Sequence, residues 1–347
     1  MTSITLHHGC SYDVLRNLIA QGIRVHAVIC DPPYFLESIA KRFGSAKAAA
    51  AKFGDDGAFT RAGMKFTGKT WDTADENGNR ISFDPEFWKL VYEILLPGGY
   101  VAAFASPRTG HWQAVAMELA GFDIHPFKGW AYTSGLPKQH PCDKAFKRLG
   151  GTDAEIAQWK GFAYGAQAEK PALEPIYIGQ RPFDQKNGPM NIREHGTGAI
   201  NLDDCRVPTE DGEGYHPANI VHDGSNAVHG DLGDAMKYFG QFDRDNKALI
   251  LNPKANKADR AGSKHPSVKP ISLMQQIVRM YTPPGGTILD PFAGSGTTAE
   301  AARAEGNNCI LIERDDEYIE DMLSRFGSDV EHVTYADFSD HGLDDLL

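Results

Sequence analysis

The sequence predicts an α/β protein built on a mostly parallel sheet. Three observations carry that prediction. Short apolar runs alternate with helix-spaced stretches at both ends of the chain, the rhythm of strand–helix–strand units. Two of the runs end in polar, turn-forming motifs, Asp31-Pro32-Pro33-Tyr34 and Asp290-Pro291-Phe292-Ala293-Gly294-Ser295-Gly296-Thr297-Thr298. Open α/β sheets bind ligands beyond such carboxyl ends. Between the two ends, from about 136 to 265, the rhythm fails in a stretch rich in Gly, Pro, Asn and His. That stretch is too long for a simple connection and reads as an inserted recognition region.

In chain order, Ile4 to His7 reads as a short strand and residues 12–21 as a helix. Val25 to Cys30 is an apolar strand, stopped by two prolines that cannot continue a central ladder. Residues 36–80 show little apolar periodicity and are expected to be partly mobile. Asp84 to Leu96 fits a helix, with Asp84 as cap, Pro85 in the first turn and Phe87, Leu90, Val91, Ile94 and Leu95 as the apolar stripe. Pro97-Gly98-Gly99 is expected to stop it before a strand from Tyr100 to Phe104 and a helix from His111 to Ala120. Within the irregular stretch only 175–178 and 248–251 stand out as apolar. A helix from Pro270 to Tyr281, a strand at 287–289, a helix over 298–305 and a strand from Cys309 to Ile312 restore the rhythm.

Composition narrows the class. The chain has 347 residues, 41% hydrophobic, with 36 glycines and 20 prolines, which is ordinary globular usage. Its formal net charge of -11 argues, on its face, against a nucleic-acid partner. The distribution reverses that reading: residues 300–347 hold 14 acidic and 3 basic side chains, which accounts for the whole excess. Residues 41–70 hold seven basic and two acidic side chains, and 253–270 five and one, so phosphate contacts are expected there. The five cysteines, Cys10, Cys30, Cys142, Cys205 and Cys309, form no C-x-x-C pair, and Cys30 and Cys309 read as buried core thiols. The histidines show no metal-binding spacing. No signal peptide and no apolar run of about 18 residues occur, so a cytoplasmic protein without a membrane partner is expected.

The two motifs carry the chemistry. Gly294 and Gly296 sit between a strand and a helix, where glycine lets backbone approach a ligand and free N–H groups point outward. No G-K-[ST] follows, which excludes a Walker phosphate loop. Glu313 closes the next strand, 19 residues after Gly294, where a carboxylate can accept from a ribose diol. The pattern points to an adenosine-type cofactor, with a plain tight turn as the bland alternative. In Asp31-Pro32-Pro33-Tyr34, a carboxylate and a proline carbonyl together accept the two hydrogens of an exocyclic amino group, and an aromatic ring stacks on the attached base. The bland alternative is a turn whose Asp caps and whose Tyr packs.

On these residues the chain resembles the amino-group-modifying DNA methyltransferases that use S-adenosylmethionine, in particular their circularly permuted β group. Asp31-Pro32-Pro33-Tyr34 looks like the catalytic motif of that group, Asp290 to Thr298 like its cofactor motif, and His265-Pro266-Ser267-Val268-Lys269-Pro270 like the segment that helps hold the methionine part. The likeness continues through Trp71-Asp72, Leu96-Pro97-Gly98-Gly99, Gly135-Leu136-Pro137-Lys138, Lys170-Pro171, Glu174-Pro175 and Gly196-Thr197-Gly198, as in the adenine methyltransferases of phages, prophages and some bacterial genomes.

The resemblance implies a Rossmann-like methyltransferase sheet, circularly permuted, with an inserted target-recognition region. Its parts would be a catalytic half at 1–135, the insertion at 136–260 and a cofactor half at 261–347. The strands ending at Asp290 and Glu313 would be sheet strands 1 and 2, those at 4–7 and before Asp31 strands 3 and 4. It implies catalytic roles for Asp31, Pro32, Pro33 and Tyr34. For the cofactor it implies Cys10, Lys269, Asp290, Phe292, Gly294, Ser295, Gly296, Thr297, Thr298 and Glu313, with no metal. Where this group commonly has Gly-Asp after its third strand, the chain has Gly9-Cys10, so Asp13 is the alternative acid there.

The implied reaction is direct methyl transfer from S-adenosylmethionine to adenine N6 of a base flipped out of double-stranded DNA. The family tends to use Asp for adenine and Ser for cytosine N4 at the first motif position, so Asp31 favours adenine and leaves cytosine N4 as the rival. Carbon-5 methylation is disfavoured, because Pro141-Cys142 lies outside the strand-4 position. A non-catalytic DNA-binding module is the alternative from another class. A homodimer, a cognate restriction enzyme and, for a phage-encoded protein, the host cytoplasm follow from the resemblance alone.

Overall fold

Runs such as Val28-Ile29-Cys30 and Ile288-Leu289 are apolar at consecutive positions, the pattern of parallel strands covered on both faces. The computed structural model describes residues 2–36, 74, 78–132, 137–206, 216–222, 255, 257–263, 265 and 267–335. In order, β1 (Ile4–His8) leads to α1 (Ser11–Ala20) and β2 (Val25–Cys30). A 3₁₀ turn (Ile81–Phe83) precedes α2 (Pro85–Ile94), β3 (Leu95–Phe104), α3 (Gly110–Leu119) and β4 (Asp123–Ala131). Next come β5 (Lys138–Pro141), α4 (Cys142–Arg148), α5 (Asp153–Gln158), β6 (Ala163–Gln167), β7 (Leu173–Gln180), α6 (Gly188–His195), β8 (Ile220–His222) and α7 (Lys257–Arg260). Then follow α8 (Ile271–Tyr281), β9 (Thr287–Asp290), α9 (Thr297–Ala304), β10 (Asn308–Glu313), α10 (Asp316–Phe326) and β11 (Val330–Thr334).

The principal sheet has the order β11–β1–β10–β9–β2–β3–β7–β4–β8. It is parallel from β11 to β3; β7 then runs antiparallel to both β3 and β4. The segment β1–β10–β9–β2 is the expected order of strands 3, 2, 1 and 4, with the chain break between β10 and β1. Side chains on one face, including Leu6, Ile29, Ile288 and Leu311, pack with Leu273, Met274 and Ile277 of α8, Ala299 and Ala302 of α9, and Met322 of α10. On the other face Val28, Val101, Leu289 and Ile312 meet Val14 and Leu15 of α1, Phe87, Trp88 and Val91 of α2, and Met117 of α3. Ile288 and Leu289 thus serve opposite layers, the period-2 alternation of a strand.

Several expectations shift on the structure. Asp84 caps α2 through Glu86 N–H at 3.0 Å, with Pro85 in the first turn, as read from the sequence. The Pro97-Gly98-Gly99 stop is not a loop: α2 ends at Ile94 and β3 begins at Leu95. The ladder slips there, with Val25 opposite Leu95 and Ala27 opposite Tyr100, and Gly98 takes φ +82°, so the glycine supplies a bulge inside the strand. The apolar piece at 175–178 expected inside the insertion is the centre of β7, a strand of the principal sheet. β4 was not read from the sequence because Pro126, Lys128 and Gly129 interrupt its pattern; a register shift between His125 and Lys128 accommodates the proline, which has no N–H to donate. The basic stretch 41–70, Trp71-Asp72, the run 248–251, Lys254, Lys264 and residues 336–347 lie outside the described residues. Cys30 and Cys309 are buried and Cys10 exposed. No helix among the described residues is long and apolar enough to cross a membrane.

Candidate active site

Four parallel strands deliver their last residues to one edge of the sheet. Asp31 follows β2, Asp290 ends β9, Glu313 ends β10, and Cys10 follows β1. A cleft of about 940 Å³ opens over that edge. Its lining includes Asp31, Pro32, Pro33 and Tyr34 together with Cys10, Lys269, Asp290, Phe292, Gly294, Ser295, Thr297, Thr298 and Glu313. Fold alone therefore brings together two motifs that the sequence holds far apart. That size suits one drug-sized ligand or cofactor.

The Asp290–Thr298 turn is closed mainly from within, with Ser11 donating to Pro291 O at 2.7 Å from outside. Asp290 accepts from Phe292 N–H at 3.0 Å and from the Thr298 hydroxyl. Burial pushes its carboxyl up to about 7, against those two hydrogen bonds and with the nearby carboxylates of Asp31 and Glu313 adding to the rise. Gly294 has φ +53° and donates its N–H to Glu313 Oε2 at 2.8 Å. Glu313 Oε1 accepts from Arg314 and Asp315 N–H, each at 2.9 Å. The acid is thus fixed by three backbone donors while still lining the cleft. Burial raises its carboxyl above the usual range. Phe292 packs on Phe87 with centroids 5.2 Å apart, and Ser295 and Thr297 hydroxyls lie 3.0 Å apart.

Gly296 stands apart from the other expected ligand-side residues. It does not line the cleft. Its φ is +76°, and a Cβ there would fall 2.8 Å from Phe326 and 3.0 Å from Met322. The residue is glycine because α9 and α10 meet there. Cys10 stands at the start of α1, exposed, without a side-chain cap bond. Asp13 also lines the cleft, 3.3 Å from Arg16.

The Asp31–Tyr34 turn is held by side chains from elsewhere. Ser82 donates to Pro33 O at 2.7 Å and is itself held by Trp88, whose indole donates to Ser82 O at 2.9 Å. Thr109 donates to Tyr34 O at 2.8 Å. Phe35 adopts φ +50°, a left-handed conformation uncommon outside glycine, and its ring meets Phe83 edge-on at 5.4 Å.

Above this turn sits a charged cluster. The buried Lys269 ammonium pairs with Asp31 Oδ2 and lies 3.9 Å from Glu174 Oε2. Its Nζ is 5.0 Å from the Phe104 ring centroid and 5.5 Å from that of Tyr34. The Tyr34 hydroxyl donates towards Asp31 Oδ1 at 2.9 Å and stands 3.2 Å from Glu174 Oε2. Burial first, then the Asp31 and Glu174 charges, pushes its ionisation well above the ordinary phenol range, so it stays neutral.

Lys269, expected on the cofactor side, therefore touches the catalytic motif. Glu174 received no role from the sequence; the available signal was an acid beside an apolar run in Glu174-Pro175-Ile176. Among the described residues no group of three His, Cys, Asp or Glu side chains could hold a metal.

Comparison with known proteins gives these arrangements a context. The family model described as DNA methylase matches residues 25–324. The type II methyltransferase M.HindIII of Haemophilus influenzae is 25% identical over 325 residues, covering 90% of this chain and 92% of the relative. The solved M1.HpyAVI–SAM complex is 18% identical with a TM-score of 0.50, covering 93% of this chain and 99% of its own. The cytosine-N4-specific PvuII DNA methyltransferase is 14% identical with a TM-score of 0.47, covering 94% and 87%.

Proposed function

The chain belongs to the N6/N4-type DNA methylase family, and on that premise we propose that it methylates adenine N6 at a specific sequence in double-stranded DNA. The protein is a DNA methyltransferase with S-adenosylmethionine as cofactor, carried on a circularly permuted Rossmann-like sheet. The observation that supports the finer reading is the sharing of one cleft by Asp31-Pro32-Pro33-Tyr34 and the Gly294–Glu313 turn.

The donor set fits such a cofactor. A carboxylate ends β10 where a ribose diol would be held, Gly294 keeps the backbone close, and Phe292 and Ile312 give apolar walls. Cys10, Ser295, Thr297 and Thr298 are assigned to the same subsite. When bound, the cofactor supplies a sulfonium methyl group, whose carbon is attacked in line. The protein's part is to place the nucleophile. Adenine N6 is poor because its lone pair is delocalised into the ring. The Asp31 carboxylate and the Pro32 carbonyl accept its two hydrogens and favour a more tetrahedral nitrogen, an interaction that strengthens towards the transition state. Tyr34 stacks on the flipped base.

Cytosine N4 is the second reading, because it presents the same two hydrogens to the same pair of acceptors. Incubation with unmethylated genomic DNA and methyl-labelled cofactor, followed by modified-base mapping, tests both and gives the target sequence. N6-methyladenine at one sequence is the expected product; N4-methylcytosine replaces the first reading by the second, and absence of label overturns both.

The target is assigned to residues 136–260 and phosphate contacts to the basic stretches 41–70 and 253–270, without Lys269, which is buried against Asp31. Reversing Lys65 and Lys69 should weaken DNA binding and flatten its salt dependence. A homodimer and a cytoplasmic setting are part of the same reading; sedimentation and cell fractionation test them. A cognate restriction enzyme is sought as nuclease activity against unmethylated DNA.

A further inference from the structure

The transfer chemistry uses Asp31, Pro32 and Tyr34 and leaves unused an acid that stands behind them, beside Tyr34 and Lys269. Glu174 is the second residue of β7 and lies opposite Trp130 of β4. Its side chain is 20% exposed, that of Asp31 19%, and that of Lys269 7%. Between the two carboxylates stands the Tyr34 hydroxyl, at 2.9 Å from one and 3.2 Å from the other. It has a single hydrogen for two anionic acceptors. The bridge thus has a place for one more proton, and methylation of an amino group releases one.

We propose that Glu174 is the final acceptor of that proton, reached from Asp31 through the Tyr34 hydroxyl. This rests on the reading of the cleft as a site of amino-group methylation. The balance is simple. The amino nitrogen bonds the methyl carbon while the C–S electron pair stays on sulfur, which leaves the nitrogen cationic with one hydrogen in excess. Asp31 Oδ1 takes that hydrogen as a proton. Tyr34 passes its own hydroxyl proton to Glu174 Oε2 and recovers one from Asp31. Asp31 ends as an anion, Tyr34 as a neutral hydroxyl and Glu174 as a neutral acid.

Position decides which carboxylate keeps the proton. Lys269 contacts Asp31 directly and stands 3.9 Å from Glu174, so the remaining negative charge is better placed on Asp31. The other groups around it fit. Tyr132, held protonated by burial and the Glu174 charge with its ionisation pushed up to about 12, does not compete. Asp290, on the cofactor side of Asp31, keeps its hydrogen bonds to Phe292 and Thr298. Glu174 is then a positioning residue for the proton: it acts through Tyr34 and never touches the base.

The test is single-turnover methyl transfer by the full chain to unmethylated genomic DNA between about pH 6 and pH 9, comparing wild type with E174Q, Y34F and the double variant. E174Q keeps the shape of Glu174 and removes the acceptor. It should lower the rate by roughly 100-fold near neutral pH, with KM for DNA and cofactor held within about threefold. The deficit should shrink as pH rises and on addition of acetate or imidazole as an external base. Y34F should show the same pH-dependent loss, and the double variant no more than either single. An unaltered E174Q rate, a loss indifferent to pH and external base, or additive losses overturn the relay while wild-type methylation still upholds the function. A wild type that methylates nothing overturns the function instead. If E174Q fails to fold by circular dichroism, Y34F decides alone, and a pH-independent loss there overturns the relay.

Discussion

The acids at one edge of the sheet are held by partners of two kinds. The acids at the ends of β9 and β10 are satisfied mainly by nearby backbone: Asp290 by Phe292 N–H together with the Thr298 hydroxyl, Glu313 by the N–H groups of Gly294, Arg314 and Asp315. The turn after β2 satisfies its acid from side chains, and Lys269 is 238 residues away in sequence. Local backbone donors make a rigid receptor that a short motif can encode. Remote side-chain partners make a site whose charge and protons can rearrange, which binding alone does not require and catalysis does.

That contrast can be broken, beginning where the effect is largest. Asp31→Ala should cut methyl transfer by roughly 1000-fold while cofactor binding by calorimetry persists, because only the side-chain turn loses its acid. Retained activity, or lost cofactor binding, would mean the two turns are not separate in function. Gly296→Ala should act on the fold instead. With φ +76° and a Cβ 2.8 Å from Phe326, it should destabilise the fold by about 3 kcal/mol, visible as a lowered Tm.

The third is a pH effect on the backbone-held side. Asp290 has its carboxyl pushed up to about 7 from a reference of 3.8. The folded state therefore binds the proton more tightly, so this contribution is fully present below about pH 4 and is lost as pH rises through about 7. Its size is on the order of 4 kcal/mol, and it should vanish from the pH dependence of unfolding in Asp290→Asn. His7 opposes it: burial lowers its pKa to about 4, so its contribution is lost as pH falls from about 6.5 towards 4. The difference between wild type and variant isolates Asp290. Smallest is Glu313→Gln, which turns an amide N–H₂ towards at least one backbone donor. Cofactor affinity should fall about tenfold, with the rate at saturation little changed.

The same contrast explains what could be read in advance. The strand ends, the cap at Asp84 and the turn around Gly294 were legible because each is specified by residues within one turn of one another. β4 was hidden by Pro126 and Gly129, whose cost the register shift absorbs. β7 was visible only as a short apolar piece, since its place between β3 and β4 depends on partners far along the chain. Gly296 is ambiguous in sequence, because a glycine forced by a neighbouring helix looks like one forced by a cofactor. Lys269 stood out as a residue and Glu174 only as part of Glu174-Pro175, and their meeting beside Tyr34 depends on the tertiary fold.

That sheet order also sets a timetable. β1, made early in synthesis, lies between β10 and β11, made late, and β2 borders β9. A ribosome releases Asp31 238 residues before Lys269. Until residues 287–334 arrive, β1 lacks both of its neighbours and β2 keeps one open edge. Pairings so distant in sequence make slow folding. A chain interrupted before residue 287 would carry the catalytic acid without the strands that complete the cleft, so the reactive centre assembles only when translation is nearly done.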